Sequence, residues 1–287
     1  MSIIQKAIEK KAQEKNKSSS VFPCDDDSAI VSDRSSVTNS DANRVVPLRD
    51  YTNRQLDIGG AKINRLVAEE FRRIKRPLLN NIAGKGATVV DNSNMVMITS
   101  ALPGEGKTFT TVHLAESIAL EREKTVLLID ADSERSTLSR SLGVEREAGL
   151  VDYLAGEVGD LSNVVLPTDI DSIKFISAGT PHPHALELFS SDRMQRLADE
   201  LSGRYPDRII IFDSPPILVS NEAVVTSALM GQILLVVQAE KSKESDVLDA
   251  LGMLDSSKII GVILNRCGNS QHKGYYYSYS DGPAADD

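Results

Sequence analysis

Apolar residues recur along this chain in two rhythms, and the change of rhythm divides it. Over residues 1–15, Ile3, Ile4, Ala7, Ile8 and Ala12 fall at helical spacing among Lys, Glu and Gln, predicting an amphipathic helix over 1–16. So short a helix is marginal alone and is either a frayed end or a segment that docks on a partner or a membrane surface. From Lys17 the large apolar side chains thin out and Ser, Asp and Asn dominate, predicting a flexible linker over 17–58. Helical spacing returns over about 60–78, with Ile63, Leu66, Val67, Phe71 and Ile74 on one face and Pro77 near the end.

The rhythm then changes to short, nearly continuous apolar runs: 95–99, 125–129, 174–176, 208–212, 233–237 and 259–264. Each is separated from the next by a segment long enough for a crossover helix. Strands without polar alternation are covered on both faces, so the pattern predicts an α/β fold with a mostly parallel, doubly wound sheet. After residue 268 the chain is short, polar and rich in tyrosine.

Charge and cysteine usage narrow the chemistry. With 32 basic and 41 acidic residues the formal charge is -9, which offers no general attraction to nucleic acid. The local cluster Arg72, Arg73, Lys75 and Arg76 reads as a solvated helix face. No apolar run approaches the roughly 20 residues of a membrane span, and the first residues lack secretory order, so a cytoplasmic protein is expected. Cys24 and Cys267 lie far apart and outside metal-ligand spacing, and are read as reduced bystander thiols.

The candidate chemistry sits at strand ends. After the run ending Ile98-Thr99-Ser100 comes Ala101-Leu-Pro103-Gly104-Glu105-Gly106-Lys107-Thr108-Phe109, then a helical segment. Strand, Gly-rich loop and helix in this order form a phosphate-binding loop. Gly104 and Gly106 let backbone N–H groups face a phosphate, and the helix start adds its positive end. Lys107 would neutralise the β- and γ-phosphates and the Thr108 hydroxyl would ligate Mg²⁺. Ala101 stands where the strict pattern has its first Gly. Two further runs end in acids, Asp130-Ala-Asp132 and Asp213-Ser-Pro-Pro216, at the strand termini where α/β sheets bind ligands. Hard oxygen ligands beside a triphosphate imply Mg²⁺, although any one Asp could instead be a helix cap.

These residues resemble the bacterial tyrosine autokinases of polysaccharide export, a branch of the P-loop NTPase fold. The loop ALPGEGKT, the segment VLLIDAD and the segment IIIFDSPP follow that family's three nucleotide motifs in order, over about 60–280. The resemblance implies a kinase domain over 59–268 that binds ATP and Mg²⁺, followed by a tyrosine-rich tail over 269–287. By similarity, Lys107 and Thr108 hold the nucleotide, Asp132 and Asp213 support the metal, and Asp130 is the base toward a tyrosine hydroxyl. Asn265 resembles the position that contacts adenine. Glu70, Arg73 and Arg76 resemble the Glu-x-x-Arg-x-x-Arg motif of ring assembly, and Tyr275, Tyr276, Tyr277 and Tyr279 the tail cluster phosphorylated by a neighbouring subunit. Where many relatives follow Asp-x-Asp with Arg-Arg-Pro, this chain has Ser133, Glu134 and Arg135. The implied partners are further copies of the chain, a membrane activator of the chain-length-regulator type that recruits the protein to the inner membrane face, and a cognate tyrosine phosphatase.

A second reading is an ATP-switched partitioning or septum-positioning ATPase of the same fold. Such proteins carry an extra lysine in the loop, K-G-G-x-G-K-T, where this chain has Leu102. That difference and four tyrosines within five residues favour the kinase.

Overall fold

The computed structural model describes residues 44–56, 60–86, 89–204 and 207–267. The expected N-terminal helix over 1–16 and the tyrosine tail lie outside them. Helices α1 (Leu48–Leu56) and α2 (Gly60–Ile82) precede strand β1 (Met95–Ser100), the loop and helix α3 (Lys107–Ala119). There follow β2 (Thr125–Asp130), α4 (Thr137–Ser141), α5 (Leu150–Ala155), a 3-10 turn, β3 (Val165–Pro167) and β4 (Ile173–Ile176). The last part is α6 (Ala185–Phe189), α7 (Asp192–Arg204), β5 (Arg208–Asp213), α8 (Asn221–Ser227), β6 (Gln232–Gln238), α9 (Glu244–Gly252) and β7 (Ile259–Asn265).

The strands form one sheet in the order β3-β4-β2-β5-β1-β6-β7, parallel throughout except for β3 against β4. The α/β expectation and its six parallel strands hold, because all six residues of β1 and five of the six in β2 and β5 are buried. One face packs Met97, Ile129, Ile210 and Phe212 against α5–α9. The other packs Val96, Ile98, Leu128 and Ile211 against α1–α3. Burying each such side chain is worth roughly 1.5–3 kcal/mol, so the central strands anchor whatever their ends carry. From β1 the chain crosses β5 to reach β2, and from β5 it crosses β1 in the opposite sense to reach β6. The winding reverses between β1 and β5, and a ligand crevice opens at the strand carboxyl ends there.

Three expectations need correction. The linker does not extend to 58: Val46 bonds to the Pro167 carbonyl, and Val46, Leu48 and Tyr51 are buried against the sheet. Asp169 accepts from the backbone N–H groups of Leu48 and Arg49, capping α1 and fixing its start. Three large apolar residues spaced by polar ones suffice here because the surface they cover already exists. Helix α2 also runs past Pro77 to Ile82, since Leu78, Leu79 and Ile82 still find the core, whereas Leu66 is 43% exposed. Finally, Lys75 leaves the solvated face. Its Nζ donates to the Ser117 carbonyl at 2.6 Å and pairs with Glu121, tying α2 to α3.

Candidate nucleotide-binding site

The loop between β1 and α3 is shaped by its own side chains. Gly104 and Gly106 have φ of 85° and 102°, in the left-handed region that glycine enters without penalty. At Gly106 a Cβ would also collide with the Asn265 side-chain amide. Asn265 Nδ2 donates to the Glu105 carbonyl at 2.9 Å, so the end of β7 clamps the loop. Glu105 is buried; its carboxylate accepts from Leu102 N–H at 2.8 Å and from the Ser242 hydroxyl. The Glu105 side chain therefore folds the loop and leaves backbone amides to meet phosphate. Gly106 caps α3 without a side-chain bond, which leaves the first N–H groups of the helix unmet by any capping side chain.

The acids lie directly beneath. Asp130 and Asp213 are paired in register on neighbouring parallel strands. Thr108 Oγ1 donates to Asp213 Oδ2 at 2.8 Å and Thr111 Oγ1 to its Oδ1 at 3.0 Å. Burial pushes the Asp213 carboxyl up, against Lys107 and the two threonine hydroxyls, which hold it down. Asp130 is pushed up by burial and then by Asp213, while Ser139 pulls it down. Its Oδ2 accepts from the Ser139 N–H and hydroxyl at 2.8 and 2.7 Å, and its Oδ1 from Asp132 N–H. Asp132 accepts from Arg135 N–H at 2.9 Å, and Ser133 donates to Glu222 at 2.7 Å.

Lys107, Thr108, Asp130, Asp132 and Asp213 are thus brought to one end of the sheet, with Pro103, Gly104 and Gly106 in the loop above. The Phe109 ring turns away to His113, at 4.0 Å between centroids, and to Phe71, so its backbone alone remains on the loop side. Glu70, Arg73 and Arg76 lie apart from this site on exposed α2, with Arg73 paired to Glu70 at 3.3 Å. Sequence reasoning missed Thr111, Ser139, Ser242 and Glu222. Thr111 was visible as the residue one turn after Lys107, whereas Ser139 and Ser242 reach the site only through the tertiary fold.

The donor set fits Mg²⁺. The half-buried Thr108 hydroxyl rests on a buried carboxylate, with a second carboxylate nearby and a phosphate loop overhead, and Mg²⁺ is commonly bound by one or two carboxylates plus substrate phosphates. Thr108, Asp213 and Asp132 would hold it.

Residues 96–280 match the family model of the CobQ/CobB/MinD/ParA nucleotide binding domain. Over 219 residues the chain is 33% identical to tyrosine-protein kinase YwqD of Bacillus subtilis, covering 75% of this chain and 88% of that one. It is 34% identical to tyrosine-protein kinase wzc of Salmonella typhimurium over 65% of this chain, spanning only 26% of that longer protein. The crystal structure of the VpsO kinase domain superposes with a TM-score of 0.60 at 29% identity, covering 72% of this chain and 98% of that one. The chain belongs to the CobQ/CobB/MinD/ParA nucleotide-binding family, in its bacterial tyrosine-protein kinase branch.

Proposed function

We propose that this protein transfers the γ-phosphoryl group of ATP to tyrosines of its own tail, Tyr275, Tyr276, Tyr277 and Tyr279, between neighbouring copies. The observation that carries the reading is the Thr108–Asp213 contact, with Lys107 close enough to hold the Asp213 carboxyl down, beneath the glycine loop. Bound Mg²⁺ supplies charge neutralisation at the phosphates. Loop amides and the α3 N-terminus orient the phosphate chain, and Lys107 balances charge on its terminal oxygens. Asp130 is buried with three donors on its carboxylate, which favours a positioning role, holding the start of α4 and the Asp132 turn. A carboxylate is in any case a weak base toward a phenol of pKa about 10, so alignment and charge carry the rate. Asn265 is placed at the loop edge, where it could meet the base of the nucleotide as well as the Glu105 carbonyl.

The folded tyrosines support the tail as acceptor. Tyr51 is buried, its phenol pushed up to about 12 by burial and then by Asp213, and the Tyr153 ring is covered by the Arg193 guanidinium at 4.5 Å. Glu70, Arg73 and Arg76 would form the contact between copies in a ring. No helix among the described residues is long and apolar enough to cross a membrane. A membrane activator of the chain-length-regulator type would bring the protein to the inner membrane face for polysaccharide export, and a phosphatase would reverse the modification.

Intact-mass and peptide mass spectrometry after incubation with Mg-ATP tests this. Phosphate on residues 275–279 is expected in the wild type, strongly reduced in Lys107→Met, and absent in the variant with all four tyrosines changed to Phe. ATP-dependent dimerisation and DNA or lipid cycling without phosphotyrosine would support the partitioning ATPase instead.

A further inference from the structure

The two edges of the sheet are finished differently. At one, β3 is three residues long and ends in Pro167, and Val46 forms a bridge beside it to Thr168. At the other, β7 pairs with β6 over all of Ile259–Asn265 and with no further strand among the described residues. Its outer row of backbone N–H and C=O groups is a template for one more strand, which folded proteins ordinarily blunt with charge, proline or brevity. The run Ile-Ile-Gly-Val-Ile-Leu-Asn carries neither charge nor proline. Its side chains are also left open. Ile263 packs toward α1–α3 and Ile260 toward the opposite layer, but Val262 and Leu264, on the same face as Ile260, are 56% and 58% exposed.

The sequence that leaves this edge matches it. At Arg266 the backbone takes a φ of 58° and turns out of β7, its N–H held by the Asn265 side chain. Residues 275–280 then read Tyr-Tyr-Tyr-Ser-Tyr-Ser. Alternate residues of a strand share a face, so Tyr275, Tyr277 and Tyr279 fall on one side and Tyr276, Ser278 and Ser280 on the other. Tyrosine favours strands, and aromatic rings pair well with aliphatic side chains across them. The apolar residues over 1–15 are at helical spacing instead, which suits a groove and not a strand edge.

We propose that residues 275–280 add to β7 of the same chain as an antiparallel strand, with Tyr275, Tyr277 and Tyr279 opposite Leu264, Val262 and Ile260. This register leaves residues 266–273 as the connection, and a loop that short keeps the tail at high local concentration beside the edge. A slip of one residue would carry the three rings to the other face, away from the exposed Val262 and Leu264. Docking itself requires no phosphoryl transfer. Resting on the kinase reading, it also regulates: docked tyrosines are withheld from a neighbouring copy, and a phosphate of roughly -1.5 to -2 charge is disfavoured on an apolar edge, so a modified tail stays released.

The test uses the full chain, dephosphorylated and free of nucleotide. Amide hydrogen exchange over 275–280 should be about tenfold slower than random coil, corresponding to about nine tails in ten docked. Methyl protons of Val262 and Leu264 should show nuclear Overhauser contacts to tyrosine rings. Val262→Asp, at an exposed position, should return the tail to random-coil exchange. So should the joint change of Tyr275, Tyr277 and Tyr279 to Ser, which keeps the test valid even where Val262→Asp does not fold, whereas Tyr276→Ser should retain the protection. Random-coil exchange in the wild type, absent methyl–ring contacts, protection kept in the triple variant, or equal loss in Tyr276→Ser would overturn the proposal. Protection that falls on dilution would also overturn it, placing another copy's tail on β7. With Mg-ATP, Val262→Asp should raise the initial rate of tail phosphorylation by about the same tenfold. An unchanged rate would overturn the regulatory half alone. No phosphate in either protein would overturn the kinase reading and the regulatory half with it, while the exchange measurement still decides docking.

Discussion

The start of α3 and its middle draw on similar polar residue types and treat them in opposite ways. Near its start the Thr108 and Thr111 hydroxyls both end on Asp213, and the carboxylate they hold is bonded at both oxygens. Further along, His113 and Ser117 are buried and keep atoms unpaired among the described residues. A fully paired network fixes one geometry, as phosphoryl transfer requires, whereas an orphan pair fixes none. The same helix thus carries a preorganised end and an unpaired flank, joined through the Phe109–His113 ring contact.

The sharpest way to break the first half of this comparison is Lys107→Met, which should lower tail phosphorylation by about 10²–10³-fold, read by mass spectrometry, with the fold retained in circular dichroism. Asp213→Asn should lower turnover by about 10²-fold through loss of the Thr108 anchor and the metal ligand. It should nonetheless raise the melting temperature of metal-free protein by a few degrees above neutral pH. The sign follows from burial: the native Asp213 carboxyl binds its proton more tightly than the unfolded chain does, so metal-free stability falls as pH rises above the ordinary carboxylate range. Asparagine removes that fall. Ser242→Ala should weaken ATP binding by about tenfold in calorimetry, since it frees Glu105 and loosens the loop.

The smallest effects sharpen the second half. Lys75→Met, which unties α2 from α3, should cost about 1 kcal/mol in urea unfolding, because its partner Glu121 is partly solvated. Burial holds the His113 imidazole below its ordinary value. The unfolded chain therefore takes up a proton first, and stability should decline as pH falls below about 6.5. His113→Phe should flatten that decline by a few tenths of a kcal/mol, measured by denaturation across pH.

Much of the fold was legible because six strands are apolar on both faces, a pattern that few other structures produce. Strand β3 was not, since three residues ending in Pro167 pair antiparallel only at the sheet edge. Residues 44–56 read as linker because three buried side chains among polar ones carry no periodic signal, and Asp169, which caps α1, lies 120 residues away from Arg49. In the site the phosphate loop and both acidic segments were readable from their places at strand ends. The state of each carboxylate was not. Asp130 looks like any exposed strand-end acid until Ser139, nine residues on, folds over it, and Glu105 looks like a loop residue facing solvent until Ser242 arrives from beyond β6.

The clamp of Asn265 on the Glu105 carbonyl ties two functions to one point of the chain. Tyr275 follows ten residues later, a leash of at most about 36 Å when fully extended. In an assembly of copies, each site would then meet acceptors at an effective concentration of order millimolar, fixed by leash length rather than by how much protein is present. Once assembled, such an enzyme would phosphorylate its tails at a rate insensitive to dilution, and the measured rate law would report assembly rather than encounter.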